Sequence, residues 1–229
     1  FLLYPVIAIL APFILVLSQP DLGTAILILL SGIVVTWLAG VRWKIFAYLS
    51  LASIVLAPIA ISFLKPYQKS RILTFLNPDS DPLGAGYQII QSKIAIGSGG
   101  LFGKGFLNGS QAYLNFLPEK HTDFIFTLYS EEFGFLGSAA IIFLYSLITY
   151  RIIVIGNRTR SIFAKLYCFG FANAFFIYVA VNMSMVLGLL PIVGAPLPIL
   201  SYGGSSMLAI MFGLGIVMSC NVYKNSAVG

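Results

Sequence analysis

The chain has 229 residues, of which 59% are hydrophobic, 14% aromatic and only 9% charged, far from the quarter-charged composition of an ordinary soluble domain. A net charge of +6 raises the question of nucleic acid, but the basic residues are scattered between apolar runs and form no basic helix or cluster, so nucleic-acid binding is excluded. Cys168 and Cys220 both lie within apolar runs, where a thiol packs as a small hydrophobe, and neither a disulfide nor a metal site is expected of them.

The sequence opens at Phe1 inside an apolar stretch without a basic leader segment, so residues are expected upstream of it. Uncharged runs long enough to cross a hydrocarbon core fall at residues 1–17, 23–41, 45–64, 133–150 and 166–187. No charge occurs between Leu166 and Tyr223, but Gly188, Pro191, Gly194, Pro196, Pro198, Gly203 and Gly204 interrupt that run and leave a sixth span at about 205–222. Spans in lipid must satisfy their own backbone, so these are helices, and the Pro/Gly break is either shielded by protein or lines a wet cavity. The fold class expected is all-α: one membrane domain, a polytopic transmembrane helix bundle.

The connections 42–44 and 151–165, with Lys224, hold seven Lys/Arg and no acid, whereas 19–22 and 188–204 hold no Lys/Arg. The positive-inside rule places the first group in the cytoplasm and the second outside. Residues 65–132 then form a long extracytoplasmic loop with six Lys/Arg and six of the seven acids; a connection of that length is usually functional. Tyr87, Ile90 and Ile94 recur at helical spacing, with Gln91 and Lys93 on another face, which predicts a short interfacial helix along the membrane surface.

Within this loop, residues 97–110 are glycine-rich and contain Gly103-Lys104. They are not a phosphate-binding P-loop: Ser98 stands where the first glycine is required, Gly105 where Ser or Thr would hold Mg²⁺, and no strand precedes them. A flexible or tight turn and a close backbone approach to a ligand remain open. Next comes Leu117-Pro118-Glu119-Lys120-His121-Thr122-Asp123, which sets acid, base and the single histidine against the entrance of the fourth span. Thr122 or Asp123 as a helix cap is one reading. The other is a general base at the lipid–water boundary: with a helical turn from Pro118, Glu119 and Asp123 fall at i and i+4, and repulsion plus desolvation raise one pKa. Asp21, between Pro20 and Gly23, reads as a cap. Glu131 and Glu132 either reach into the bundle or are solvated at the interface, and no charge is expected deep in any span.

Together, the segments 19–24 (QPDLGT), 77–87 (NPDSDPLGAGY), 116–126 (FLPEKHTDFIF) and 198–206 (PILSYGGSS) resemble the shape, elongation, division and sporulation (SEDS) family of bacterial membrane proteins. Residues 193–198 (VGAPLP) are similar to the rod-elongation branch rather than the division branch. The family has ten spans, of which this chain matches the last six. The resemblance implies a peptidoglycan glycosyltransferase in the bacterial cytoplasmic membrane, which polymerises lipid II into β-1,4 glycan strands outside the membrane. It also implies Asp123 as the catalytic residue, support by a divalent cation (Mg or Mn), and a class B penicillin-binding transpeptidase as partner. The donor carries its own pyrophosphate leaving group, so no nucleotide is needed. An inverting displacement needs a base and positive charge on the departing pyrophosphate: Asp123 can be the base, Arg71, Lys93, Lys104, Glu119, Lys120 and His121 are candidate substrate contacts, and Glu119 or Asp123 is a candidate metal ligand. A lipid-precursor flippase and a non-catalytic scaffold are the rival readings.

Overall fold

A computed structural model describes residues 3–19, 21–63, 66–78, 81, 84–109 and 121–225, with the side chains of 57–63, 66, 67 and 85 outside the description. Among these residues the regular elements are eight α-helices: α1 Leu3–Ser18, α2 Leu22–Leu38, α3 Trp43–Phe63, α4 Pro66–Leu76, α5 Ala85–Ser98, α6 Ile125–Arg158, α7 Ile162–Val186 and α8 Gly204–Val222. Each of the six apolar runs read as spans overlaps one of these helices. By length and composition α6, α7 and α8 are sufficient to cross a membrane, and α1 and α2 are shorter apolar helices. Large apolar side chains such as Phe143 and Leu144 on α6 and Leu208 and Phe212 on α8 are exposed, as suits surfaces in contact with acyl chains rather than water. The chain is an integral helical membrane protein.

Small residues let the helices approach. A Cβ on Gly170 of α7 would lie 2.7 Å from Val35 of α2, and one on Gly213 of α8 would lie 2.1 Å from the Phe171 ring of α7. Without a hydrophobic force between helices in lipid, such close van der Waals packing holds them together. One core, around Phe124, Phe126, Tyr145, Phe175, Met185 and Leu197, sits where α6 and α7 meet the α7–α8 connection. A second, of Ile152, Cys168, Ala172 and Val217, lies toward the other end. There Arg160 N donates to Lys224 O at 3.2 Å, so the basic tail rests on the basic α6–α7 turn.

The fourth span departs from expectation. Instead of starting at 133, α6 starts at Ile125 and breaks at Gly134, where φ is 66° and ψ −160°. A positive φ inside a helix interrupts its hydrogen bonds, and only glycine adopts it cheaply. The groups set free are taken up by the glycine-rich segment. Phe135 N donates to Gly100 O at 2.9 Å and Leu136 N to Leu101 O at 3.1 Å, while Lys104 N donates to Glu131 O and Gly105 N to Glu132 O, both at 3.0 Å. Residues 99–105 thus complete the broken helix with their own backbone, the condition under which irregular chain is tolerated at membrane depth. Contact is close enough that a Cβ on Gly103 would stand 2.0 Å from Glu132 O and one on Gly99 2.2 Å from Ser130 O. Residues 97–109 form the tight turn of the first reading, and the close backbone approach seen there is to α6.

This early start also places Glu131 and Glu132 on α6, and of the two readings for them the one that reaches into the bundle is observed for Glu131. The Glu131 side chain is fully buried, and Lys104 Nζ donates to its Oε1 at 2.7 Å. Pairing is what makes a carboxylate tolerable at such a place.

A helix covers residues 87–94, where one was predicted along the membrane surface, as α5, but another face packs. Ile89, Ser92 and Ala95 are buried while Ile94 is half exposed, because the small residues at this spacing admit the neighbouring helices. Ser92 Oγ shares a hydrogen with Thr127 Oγ1 of α6 at 2.9 Å and also bonds the Val186 carbonyl of α7.

Candidate functional site

Several connections meet at the end of the bundle that carries Asp123. Asp21 caps α2, its Oδ1 accepting from Thr24 N at 3.0 Å, as its place after Pro20 predicts. Two residues on, α2 abuts the α7–α8 connection so tightly that a Cβ on Gly23 would stand 2.0 Å from Val193 O. Arg71 of α4 donates from Nη1 to Ile192 O at 3.3 Å. Lys93 of α5 lies along Gly188, where a Cβ would fall 2.7 Å from its Nζ. The connection 187–203 is therefore the floor on which α2, α4 and α5 all rest.

Asp123 faces the same connection. Its Oδ2 lies 3.6 Å from the point where Gly194 would carry a Cβ, an ordinary contact distance, and Gly194 has a φ of +71°, so a side chain at 194 would strain the turn beside the carboxylate. Neither Thr122 nor Asp123 occupies the cap position of α6. That position falls to Phe124, which makes no side-chain cap bond and is buried in the core. The capping expectation is thereby corrected: the apolar Phe124, drawn inward by burial, begins the helix one residue later.

Main-chain geometry around Asp123 is fixed by three bonds in succession. His121 O accepts from Tyr202 N at 2.9 Å, Thr122 O from Ser201 Oγ at 2.6 Å, and Asp123 O from Asn182 Nδ2 at 2.8 Å. The same amide group donates to Ala195 O at 2.7 Å, and Ser201 Oγ accepts from Leu197 N at 2.6 Å. Tyr145 of α6 donates to the Pro198 carbonyl from below. Next to it Ile199 has a φ of 71°, unusual for a β-branched residue and imposed by the bonds on either side of it.

Cavities flank this connection. One of about 500 Å³, lined by Thr24, Phe175, Tyr178, Pro196, Pro198 and Ile210 among others, is largely apolar. A second of about 590 Å³ is bounded by His121, Ile125, Tyr202, Gly203 and Met207. Of the candidate site residues, Arg71, Lys93, His121 and Asp123 thus gather on or beside the 187–203 connection. Lys104 is held by Glu131, two helical turns along α6 from Asp123. Glu119 and Lys120, with the proposed turn from Pro118, lie outside the described residues.

Sequence reading assigned no role to Asn182, Ser201 or Gly194. A signal existed for the first: an amide in an otherwise uncharged apolar run must find buried partners.

Such a bundle, with a polar cluster and a Pro/Gly connection at one end and a helix broken at Gly134, is that of a polytopic helical membrane protein. The chain belongs to the FtsW/RodA/SpoVE family of cell cycle proteins, whose model matches residues 1–226. It is 48% identical over 219 residues to the peptidoglycan glycosyltransferase MrdB of Escherichia coli strain K12, covering 95% of this chain and 59% of that protein. Among solved structures, a chain from the work described as "Structural coordination of polymerization and crosslinking by a peptidoglycan synthase complex" superposes with a TM-score of 0.79 at 36% identity, over 97% of this chain and 62% of that one. The crystal structure of Thermus thermophilus rod shape determining protein RodA gives a TM-score of 0.64 at 27% identity, over 97% of this chain and 56% of that one. The chain therefore spans about three fifths of the length of the relatives it matches.

Proposed function

We propose that this chain supplies the catalytic end of a peptidoglycan glycosyltransferase of the rod-elongation type, which polymerises lipid II on the extracytoplasmic face of the bacterial cytoplasmic membrane. The observation that carries this reading is the fixed main chain of residues 121–123, which aims a single carboxylate at the shared floor of the site. The similarity to MrdB, itself named a peptidoglycan glycosyltransferase, supports it.

In this reading Asp123 takes the proton from the acceptor sugar hydroxyl as its oxygen attacks the anomeric carbon of the donor. The bond from that carbon to the pyrophosphate oxygen breaks, and undecaprenyl pyrophosphate departs with the electron pair. Arg71 and Lys93, which meet the 187–203 connection from α4 and α5, offer positive charge to the leaving group; Lys120 and His121 are further candidate contacts. Lys104 is the weakest candidate of the set, since Glu131 already engages its charge.

A divalent cation fits here in one mode. Among the described residues no group of three His, Cys, Asp or Glu gathers; Asp123 and Glu119 are the carboxylates that would hold a cation. A hard cation held by Asp123, or by Glu119, together with pyrophosphate oxygens matches the way Mg²⁺ is commonly bound. It would neutralise charge on the leaving group.

The apolar cavity and the lipid-facing helices would keep the polyprenyl chains within the bilayer. A class B penicillin-binding transpeptidase is the proposed partner. The test is polymerisation of lipid II by the purified full-length protein: Asp123→Asn is expected to lose about a hundredfold or more, the scale of general-base catalysis, with membrane insertion unchanged. Near-normal polymerisation by Asp123→Asn would favour the flippase or scaffold reading.

A further inference from the structure

We propose that Asn182 is a positioning residue for the Asp123 carboxylate, a clamp that fixes the loop before α6 against the α7–α8 connection. The inference rests on the reading of Asp123 as the base and extends it to a residue that touches no reacting atom.

Asn182 lies in the last turns of α7, fully buried. Both of its main contacts, Asp123 O at 2.8 Å and Ala195 O at 2.7 Å, are carbonyl oxygens, which can only accept. The NH₂ group must therefore face them, and the orientation of the amide is fixed by its partners. Both of its hydrogens are consumed, one on each of two segments that are far apart in sequence. Its Oδ1 is buried without a hydrogen-bond partner among the described residues. Around it stand Val179, Met185 and Val186, all buried and apolar, so an apolar residue would suit this place if packing alone were served. A buried polar group that forgoes one bond in order to make two others marks a position held for geometry.

The geometry in question is that of Asp123. Its own carbonyl is held by Asn182, that of Thr122 by Ser201 Oγ and that of His121 by Tyr202 N. Asn182 anchors this run at the residue that bears the carboxylate, and in a low-dielectric interior such bonds are strong and directional. Without it, the peptide after Asp123 can rotate, and the bonds from Ser201 and Tyr202 to the two preceding carbonyls open more often. The carboxylate would swing without leaving the site. A displacement of about an ångström at a reacting group costs on the order of a hundredfold in rate.

Asn182→Leu, close in size but without hydrogen-bonding groups, and Asn182→Asp are compared with the unmodified full-length protein in lipid II polymerisation. The clamp predicts that Asn182→Leu lowers kcat about 10- to 100-fold while KM changes by less than about threefold, as befits an interaction that orients the base rather than the substrate. Asn182→Asp supplies a second measure that survives if the leucine variant folds poorly. Buried against two carbonyls, its carboxyl can donate only when protonated, so its activity relative to the unmodified protein should rise as pH falls. His121, Asp21, Tyr145, Tyr178 and Tyr202, on the segments around it, are common to both proteins and cancel in that ratio. An ionised carboxyl at 182 also disfavours ionisation of the nearby Asp123 and so lowers the ratio in the same direction as pH rises.

Hydrogen exchange reads the clamp without any turnover: the Tyr202 amide, bonded to His121 O, should exchange faster in Asn182→Leu. Unchanged kcat in Asn182→Leu, a flat activity ratio across pH in Asn182→Asp, or unchanged exchange at Tyr202 would each overturn the proposal. Should Asp123→Asn polymerise normally, the base assignment fails, and the exchange measurement alone then decides whether Asn182 clamps this loop.

Discussion

Lys104 and Glu131 form a 2.7 Å ion pair in which the carboxylate is fully buried and the lysine side chain remains 30% exposed. The pair fastens the glycine-rich segment to the short half-helix that leads from Asp123, beside the backbone bonds that fill the break in α6. Removing the ammonium leaves a charge inside protein; removing the charge leaves a neutral amide that can still accept. Lys104→Met is therefore expected to destabilise by about 3 kcal/mol and Glu131→Gln by less. The double variant should recover part of the loss, because no buried charge is left uncompensated. Thermal unfolding of the four proteins in detergent measures this as a double-mutant cycle.

Gly134→Ala tests whether the break is built in. Its φ is +66°, and a Cβ would stand 2.3 Å from Gly103 N, so alanine meets both an unfavourable backbone conformation and a steric clash. Straightening α6 would instead expel residues 99–105 and strand their bonds. A loss of at least about 2 kcal/mol is expected, with faster hydrogen exchange at Lys104 and Gly105. Wild-type stability and exchange in Gly134→Ala would show that the segment does not depend on the glycine.

Much of this architecture was legible in the sequence, for reasons that can be assigned residue by residue. All six apolar runs hold helices because a chain in lipid has no other way to pair its backbone, and Asp21 caps α2 because a short carboxylate after proline has few alternatives. The start of α6 was not legible. Phe124 and Phe126 read as the edge of a loop, and only the tertiary core that buries them draws the helix back to Ile125. Likewise, Gly97, Gly99, Gly100, Gly103 and Gly105 announce a turn, but nothing in their spacing says that the turn completes a helix broken at Gly134. Asn182 was visible as one of two amides, with Asn173, in the run 166–187; its partners, 59 and 13 residues away, were not.

Orientation in the membrane follows from charge alone and is open to direct test. The short connections 42–44 and 151–165 are basic and free of acids while 19–22 and 188–204 hold no Lys/Arg, so Asn157 should be cytoplasmic and Asn108 extracytoplasmic. Both are exposed. Single cysteines at these positions, in a protein whose Cys168 and Cys220 are replaced by alanine, should differ: the thiol at 108 reacts with an impermeant reagent in intact cells, and the thiol at 157 reacts only after lysis. The opposite pattern would invert the topology and remove the site from the face where lipid II is polymerised.

Glu119 is the remaining carboxylate whose role separates two chemistries. If Asp123 is the base and Glu119 its neighbour at i and i+4, the negative charge of Glu119 disfavours ionisation of Asp123 and raises its pKa. The base works when ionised, so activity rises with pH through that pKa. Glu119→Gln removes the repulsion, lowers the pKa of Asp123, and should move the rising limb of the rate–pH profile to lower pH with a modest loss of activity at the optimum. If Glu119 instead holds a divalent cation against the pyrophosphate, Glu119→Gln should weaken the dependence of rate on added Mg²⁺ or Mn²⁺ and leave the limb where it was. A profile and a metal dependence both identical to those of the unmodified protein would remove Glu119 from the site, and abolition of activity by Glu119→Gln with Asp123→Asn still active would transfer the base to Glu119.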